Sequence, residues 1–139
     1  MILKKLSLKQ FEDLAQSLGR KMKDQGLTIG LIGPLGAGKT TFAKALARQM
    51  GAKRAKSPSF VIMHQYRIGK RTLYHLDFYR LNKVEQLNVL GLEEIFSSKN
   101  IIVMEWLDKF PQLKKFCDLT ISIKINKDGT RTVAIKFNK

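Results

Sequence analysis

The sequence contains very little cysteine and no long apolar run. Its 139 residues include one cysteine, Cys117, which excludes an intramolecular disulfide and suits a reducing cytosol. No stretch reaches the roughly 20 apolar residues that a membrane helix needs. The opening residues, MILKKLSLKQ, lack the apolar core of a signal peptide. We therefore expect a single cytoplasmic domain over residues 1–139.

Acidic residues are also scarce. Eleven Asp and Glu stand against 26 Lys and Arg, and the formal net charge is +15. Residues 31–80 hold ten basic residues and one acidic residue, Asp77, whereas residues 81–106 hold two basic and four acidic residues. Such an excess points to a polyanionic partner, usually nucleic acid, or to a membrane surface. A lysine-rich composition spread over every surface explains the charge equally well.

Hydrophobic periodicity predicts strands that alternate with helices. Ser7 and Gln10 form the pattern of a capping box. The predicted helices span 8 to about Gly26, 39–50 and about 83–89, the last capped by Asn82 and Glu85, and a helical turn spans 91–96. Single strands are predicted over 27–32 and 101–104. Hairpins are predicted for 60–68 with 72–79 and for 118–126 with 130–137. This order predicts an α/β fold with a central mixed sheet flanked by helices.

The segment between the first apolar strand and the next helix matches a phosphate-binding loop. Residues 33–40, GPLGAGKT, fit G-x-x-x-x-G-K-[ST] completely. Backbone N–H groups of such a loop surround phosphates, the lysine reaches the β and γ oxygens, and the hydroxyl ligates magnesium. A plain glycine-rich turn is the alternative, but the strand before the loop and the helix after it favour a P-loop NTPase-like fold. The predicted nucleotide-binding residues are Gly33, Pro34, Leu35, Gly36, Ala37, Gly38, Lys39, Thr40 and Thr41.

A phosphate loop also needs an acid at the end of a neighbouring apolar strand, to hold magnesium or its waters. Glu105 directly follows the apolar run 101–104, and Asp77 lies late in the run 73–77. We predict Lys39, Asp77 and Glu105 as catalytic residues, with Thr40 and Glu105 at the metal. A surface acid at the end of a strand is the alternative for each carboxylate.

Several segments in order resemble one protein family. They are GAGKTTF at 36–42, SPSF at 57–60, YHLDFYR at 74–80, GL at 91–92 and EW at 105–106. Together they resemble TsaE (YjeE), the bacterial ATPase family needed to make N6-threonylcarbamoyladenosine (t6A) in tRNA. The resemblance covers roughly residues 28–107, and the last hairpin matches only in general character.

The resemblance implies an ATPase that uses ATP and Mg²⁺ and works with the TsaB–TsaD complex, with tRNA bound directly or through that complex. It also implies that the segment containing Ser57 and Ser59 acts as a switch near the γ-phosphate. Trp106, directly after the acidic site residue Glu105, is a candidate contact for the nucleotide or a partner, and a plain core position is the alternative. Arg80 is a candidate arginine finger, although a solvated arginine at a strand end is the simpler interpretation. The departures from the family pattern are Pro34 in place of Asp, Ser59 in place of Thr, and Leu107 in place of Pro or Ala.

Other interpretations stay open at this point. The segment Asn82–Glu85 resembles the guanine-reading motif of GTPases, but a helix cap explains it better. A nucleotide-gated RNA-binding module with little turnover would suit the basic middle of the chain. A small-molecule kinase is disfavoured because the length leaves little room for a lid. His64 and His75 are expected to pack or hydrogen-bond within strands.

Overall fold

The computed structural model describes residues 1–22, 24–52, 62–97 and 99–138, without the side chain of Ser97. A seven-stranded mixed sheet forms its centre, with the order β1-β7-β6-β2-β5-β4-β3. The strands are β1 Ile2–Leu6, β2 Leu27–Ile32, β3 Met63–Ile68, β4 Arg71–Asp77, β5 Ile101–Glu105, β6 Leu119–Ile125 and β7 Arg131–Phe137. The α-helices are α1 Leu8–Met22, α2 Lys39–Gln49, α3 Glu85–Asn88 and α4 Leu92–Ser97, and 3-10 turns span Leu107–Lys109 and Pro111–Phe116. The predicted α/β fold is confirmed.

The four central strands are parallel. β2 pairs in parallel with β5 and with β6, and β4 pairs in parallel with β5. Antiparallel hairpins close both sides, β3 with β4 on one and β6 with β7 on the other, where β1 adds the edge. Parallel strands are buried on both faces, which explains why β2 and β5 read as continuous apolar runs. Their carboxyl ends meet at one edge, and this edge positions the site.

Local sequence explains where the two long helices begin and end. The Ser7 N–H donates to Gln10 Oε1 at 2.8 Å, and the Gln10 N–H donates to Ser7 Oγ at 3.2 Å, so the predicted capping box starts α1. That helix ends at Met22, four residues before the predicted stop. Gly51 follows α2 with a φ of 114°, the left-handed conformation in which helices commonly end.

Apolar side chains cover both faces of the sheet. On one face α1 and α2 pack against the central strands through Phe11, Phe42 and Leu46. On the other face a second buried cluster includes Phe78, Leu107 and Phe110. Cys117 is buried in this second cluster, and its burial raises the pKa of its thiol to about 12. No helix within the described ranges is long and apolar enough to cross a membrane.

Two sequence-based predictions need correction. The third helix begins at Glu85 and ends at Asn88, so it is shorter than predicted. Its first turn is not capped by the pair Asn82 and Glu85. Instead, Gln86 Oε1 accepts the N–H groups of Asn82 and Lys83, at 2.8 and 3.0 Å. The edge strand β1 was not predicted at all.

Candidate nucleotide-binding site

The phosphate-loop sequence lies between β2 and α2, at the carboxyl edge of the parallel strands. Gly36 has a φ of 81°, with open space where a Cβ would lie. At Gly33 an added Cβ would lie 2.6 Å from the carbonyl oxygen of Ile123, so the loop begins in close contact with β6. The helix then starts at Lys39, which aims the free N–H groups of its first turn toward the loop. This arrangement suits an anion.

Lys39 is held inside the loop. Its Nζ donates to the carbonyl oxygens of Gly33 and Pro34, at 2.5 and 2.9 Å, and lies 3.8 Å from the centroid of the Trp106 ring. The side chain is 4% exposed. Burial lowers the pKa of Lys39, and the negative charges of Glu105, Asp108 and Asp77 oppose that shift. The carbonyl oxygens of Gly33 and Pro34 therefore accept hydrogen bonds from the same ammonium that phosphate oxygens would contact.

Glu105 is buried at the last position of β5, with 1% of its surface exposed. The hydroxyl of Thr40 donates to its Oε1 at 2.7 Å. Its Oε2 lies 2.5 Å from Nε2 of His75, which is also 1% exposed. Both carboxylate oxygens are thus fixed by side chains from two other elements, α2 and β4. His75 is a hydrogen-bonding residue on a strand, as predicted, but its partner was not foreseen.

Asp77 lies beside Glu105 because β4 and β5 pair in register, Asp77 opposite Glu105. Its Oδ1 accepts the N–H of Tyr79 at 3.0 Å. Burial raises the pKa of Asp77, and the charge of Glu105 adds to this effect, while the Tyr79 N–H, His75 and Lys39 oppose it. The two acids, predicted from the ends of separate strands, therefore lie next to each other at the same edge of the sheet.

A cavity of about 460 Å³ opens over these groups. Its lining comes from the loop, from the ends of β4 and β5, and from the start of β7. The lining residues are Leu35, Gly36, Gly38, Lys39, Thr40, Thr41, Ile62, Asp77, Tyr79, Arg80, Glu105, Trp106 and Arg131. Six of the predicted loop residues are among them, whereas Gly33 and Pro34 turn their carbonyls to Lys39 and Ala37 is buried.

Sequence reasoning missed Ile62, Tyr79 and Arg131 as lining residues. Arg131 lies 94 residues beyond Ala37 in sequence, and its Nε donates to the Ala37 carbonyl at 3.3 Å. No local motif marks it, because only the pairing of β6 with β2 brings the last hairpin to the loop. The pairing of that hairpin was predicted, but its place in the sheet was not.

Trp106 adopts an unusual backbone conformation for a bulky residue, with φ 61° and ψ 39°. An L-residue in this left-handed region costs about 1–2 kcal/mol. The turn places the indole beside Lys39 and 5.0 Å from the Tyr79 ring, measured between centroids. Arg80 is exposed at the rim of the cavity. Ser57 and Ser59, the predicted switch residues, lie outside the described residues.

The oxygen atoms at this site suit a hard cation. Mg²⁺ prefers oxygen ligands and is usually bound by one or two carboxylates together with substrate phosphates. The Thr40 hydroxyl and the Glu105 carboxylate, already in contact, are such donors, and Asp77 is adjacent. This donor set fits magnesium carried by a nucleotide.

Comparisons with known proteins agree with this geometry. The family model described as "Threonylcarbamoyl adenosine biosynthesis protein TsaE" matches residues 6–133. The chain is 33% identical over 116 residues to the tRNA threonylcarbamoyladenosine biosynthesis protein TsaE of Treponema pallidum, covering 83% of this chain and 85% of the relative. It is 37% identical over 113 residues to the protein of that name from Bacillus subtilis, covering 78% and 68%.

A solved structure extends the likeness to the whole fold. The crystal structure of Bacillus subtilis YdiB superposes with a TM-score of 0.77 at 28% sequence identity. The match covers 100% of this chain and 86% of that chain. Since the family model spans nearly the whole sequence and the sheet carries the same architecture, the chain belongs to the TsaE family.

Proposed function

We propose that this chain binds ATP with Mg²⁺ and hydrolyses it, as one domain, in support of t6A formation in tRNA. The observation that carries the proposal is the hydrogen bond from Thr40 to Glu105, at 2.7 Å, directly beside the phosphate loop. It joins the hydroxyl that such loops offer to magnesium with the acid that a magnesium site needs. A glycine-rich turn with a purely structural role would need neither this hydroxyl nor this acid.

Each residue then has a chemical task. The loop N–H groups and Lys39 bind the phosphate oxygens and neutralise their charge. Thr40 and Glu105 would hold the magnesium ion, which would supply positive charge to balance the charge that develops in the transition state. Asp77, beside Glu105, orients a water molecule for attack on the γ-phosphate. Hydrolysis needs little covalent help, so catalysis rests on positioning and charge.

The biological setting in the proposal comes from the relatives, which are named for threonylcarbamoyladenosine biosynthesis in tRNA. We place the chain in the cytoplasm as a component that acts with the TsaB–TsaD complex on tRNA. The rim of the cavity supports completion of the site by a partner, because Leu35 and Tyr79 are large side chains that stay exposed there.

The direct test is ATP binding and hydrolysis by the chain alone, with TsaB–TsaD, and with tRNA added. In Lys39→Ala, ATP binding and turnover should both collapse, since the loop loses its charge on the β and γ phosphates. Lys44→Ala is the matched control, because Lys44 lies further along α2 and does not line the cavity. Equal ATP affinity in wild type and Lys39→Ala would refute nucleotide binding by the loop.

Glu105→Gln separates magnesium chemistry from binding. The amide keeps the shape and one acceptor oxygen but loses the charge. Turnover should fall by a hundredfold or more, on the order of what one lost charge-stabilising contact costs, while ATP affinity should change much less. Full turnover in Glu105→Gln would remove Glu105 from the site.

ATP is preferred over GTP in this proposal. The segment that resembles a guanine-reading motif, Asn82–Glu85, contributes no residue to the described lining of the cavity, and Gln86 accepts its N–H groups instead. Competition between ATP and GTP for the wild-type protein should favour ATP. A clear preference for GTP would revive the GTPase interpretation.

A nucleotide-gated RNA-binding module with little turnover is the second candidate, favoured by the net charge of +15. It predicts that RNA affinity changes when ATP binds and that hydrolysis stays negligible even with TsaB–TsaD and tRNA. Stimulated turnover in the assay above would exclude it.

A further inference from the structure

The cavity has two unlike sides because β2 lies between β5 and β6 in the sheet. On the β5 side are the acids, with Glu105 in contact with Thr40. On the β6 side the loop touches the hairpin of β6 and β7, where Gly33 approaches Ile123 and Arg131 reaches Ala37. Under the proposed function, the γ-phosphate and the cation belong on the side of the acids, beside the contact between Thr40 and Glu105. The side of the hairpin is then the one left for the nucleoside.

Arg131 is the cationic side chain of that hairpin that lines the cavity. Its Nε donates to the Ala37 carbonyl, and one terminal nitrogen donates to the Gly129 carbonyl at 2.9 Å. Its guanidinium carbon lies over the Phe11 ring, 5.8 Å from the centroid, and Phe11 in turn packs on Phe42 of α2. The guanidinium is thus held by contacts from the loop, from its own turn and from α1.

We propose that Arg131 forms the stacking platform for the base of the bound nucleotide, which rests on the proposed function of the loop. The Nε and one terminal nitrogen are engaged by carbonyl groups and the guanidinium carbon lies over Phe11, while the same side chain lines the cavity. In the proposal, the remaining face of the guanidinium meets the base. Arginine planes stack on nucleobases, and stacking accepts any base because every base has a π face. Arg131 then contributes affinity for the nucleoside rather than a choice between bases.

The test is calorimetric binding of ATP, ADP and inorganic tripolyphosphate, each with Mg²⁺, to wild type, Arg131→Ala and Arg131→Lys. Stacking predicts that Arg131→Ala weakens ATP and ADP alike, by about tenfold. Tripolyphosphate, which has no base, should bind wild type and variant equally. Arg131→Lys should lose nearly as much ATP affinity as Arg131→Ala, because it keeps the charge but not the plane.

Three outcomes would overturn the platform. An equal loss of tripolyphosphate affinity would make Arg131 a phosphate ligand. Full ATP affinity in Arg131→Lys would make the charge sufficient. Unchanged ATP and ADP affinity in Arg131→Ala would leave the residue outside the nucleotide's reach.

Controls separate this proposal from the function on which it rests. Lys136→Ala removes one positive charge from the same strand at an exposed position away from the cavity, and it should leave all three affinities unchanged. Tripolyphosphate binding by Arg131→Ala reports an intact loop, so a folding defect cannot imitate the expected result. A wild type that binds no ATP would defeat the proposed function itself, whereas normal ATP binding by both wild type and Arg131→Ala defeats only the platform.

Discussion

At the scale of single residues, Glu105 is the point where contacts from α2 and β4 converge. One of its oxygens accepts from Thr40 and the other lies against His75. In metal sites such outer partners fix the orientation of a ligand, and their loss commonly weakens metal binding or activity by about 10–100-fold. His75 is therefore expected to act through Glu105, as a positioning residue that does not touch the nucleotide.

The prediction compares His75→Leu with His75→Gln. Leucine fills similar space without a donor, whereas the glutamine amide can place a donor near the position of Nε2. His75→Leu should need a higher Mg²⁺ concentration for half-maximal ATP turnover and for ATP binding, and His75→Gln should restore much of the difference. Both variants lose packing, so stability alone does not separate them. Identical Mg²⁺ dependence in both variants would contradict the positioning role.

Asp77 carries a prediction about stability. Burial is the main cause that raises the pKa of Asp77 in the folded protein. Above this raised pKa, the ionised carboxylate lowers the free energy of unfolding, and this cost disappears as the pH falls through the folded-state pKa. Asp77→Asn keeps an oxygen for the Tyr79 N–H and removes the charge beside Glu105. The nucleotide-free variant should therefore unfold at a higher temperature than wild type at neutral pH, with a smaller gain at about pH 4. A gain that does not depend on pH, or a loss at neutral pH, would contradict this explanation.

At the scale of elements, the parallel arrangement of β4, β5, β2 and β6 assembles the site. The loop after β2 and the acids ending β4 and β5 meet because parallel strands end at the same edge. The contact of the loop with β6 adds a steric condition at its first glycine. There the nearest atom to an added Cβ is a backbone oxygen, which cannot turn away as a side chain would.

Gly33→Ala and Gly36→Ala test this condition within one loop. At Gly36 the substitution meets open space, so its cost is that of a left-handed L-residue, about 1–2 kcal/mol. At Gly33 the Cβ meets Ile123 O at 2.6 Å, and β6 has to move away from the loop. Chemical unfolding should show a larger loss of stability for Gly33→Ala. An equal or smaller loss would mean that the loop and β6 separate easily.

Those elements that depend on local sequence were predictable, and those that depend on distant pairing were not. The capping box of α1, the buried runs of β2 and β5 and the loop itself are local patterns, and the structure has them where predicted. The edge strand β1 escaped because ILKKL has no alternation and its pairing with β7 spans most of the chain. The contacts of His75 and Arg131 could not be predicted for the same reason, because they depend on the order of the strands in the sheet.

At the scale of the whole molecule, the charge of +15 favours association with a polyanion. Lys53, Arg54 and Lys56 form the basic segment that leads into the predicted switch, and they lie outside the described residues. If they contact phosphates, tRNA binding to the assembled complex should weaken with salt more steeply in wild type than in the triple alanine variant, because each contact releases counterions.

The matched control replaces Lys9, Arg20 and Lys21, which are exposed on α1 and carry the same set of charges. This variant should keep the wild-type salt slope, whereas the first should have a flatter one. Identical salt dependence in all three proteins would remove the RNA role from the segment. Loss of complex assembly in the absence of RNA would assign the segment to a protein partner instead.

The position of Trp106 gives the molecule its own optical probe. It is the only tryptophan in the chain, so its fluorescence can be excited selectively over that of the tyrosines. The ammonium of Lys39 lies 3.8 Å from the ring centroid. A phosphate that draws this charge away changes the electric field at the indole, and the emission should shift as the loop fills. Rapid mixing of unlabelled protein with nucleotide would then record the filling and emptying of the loop as it happens.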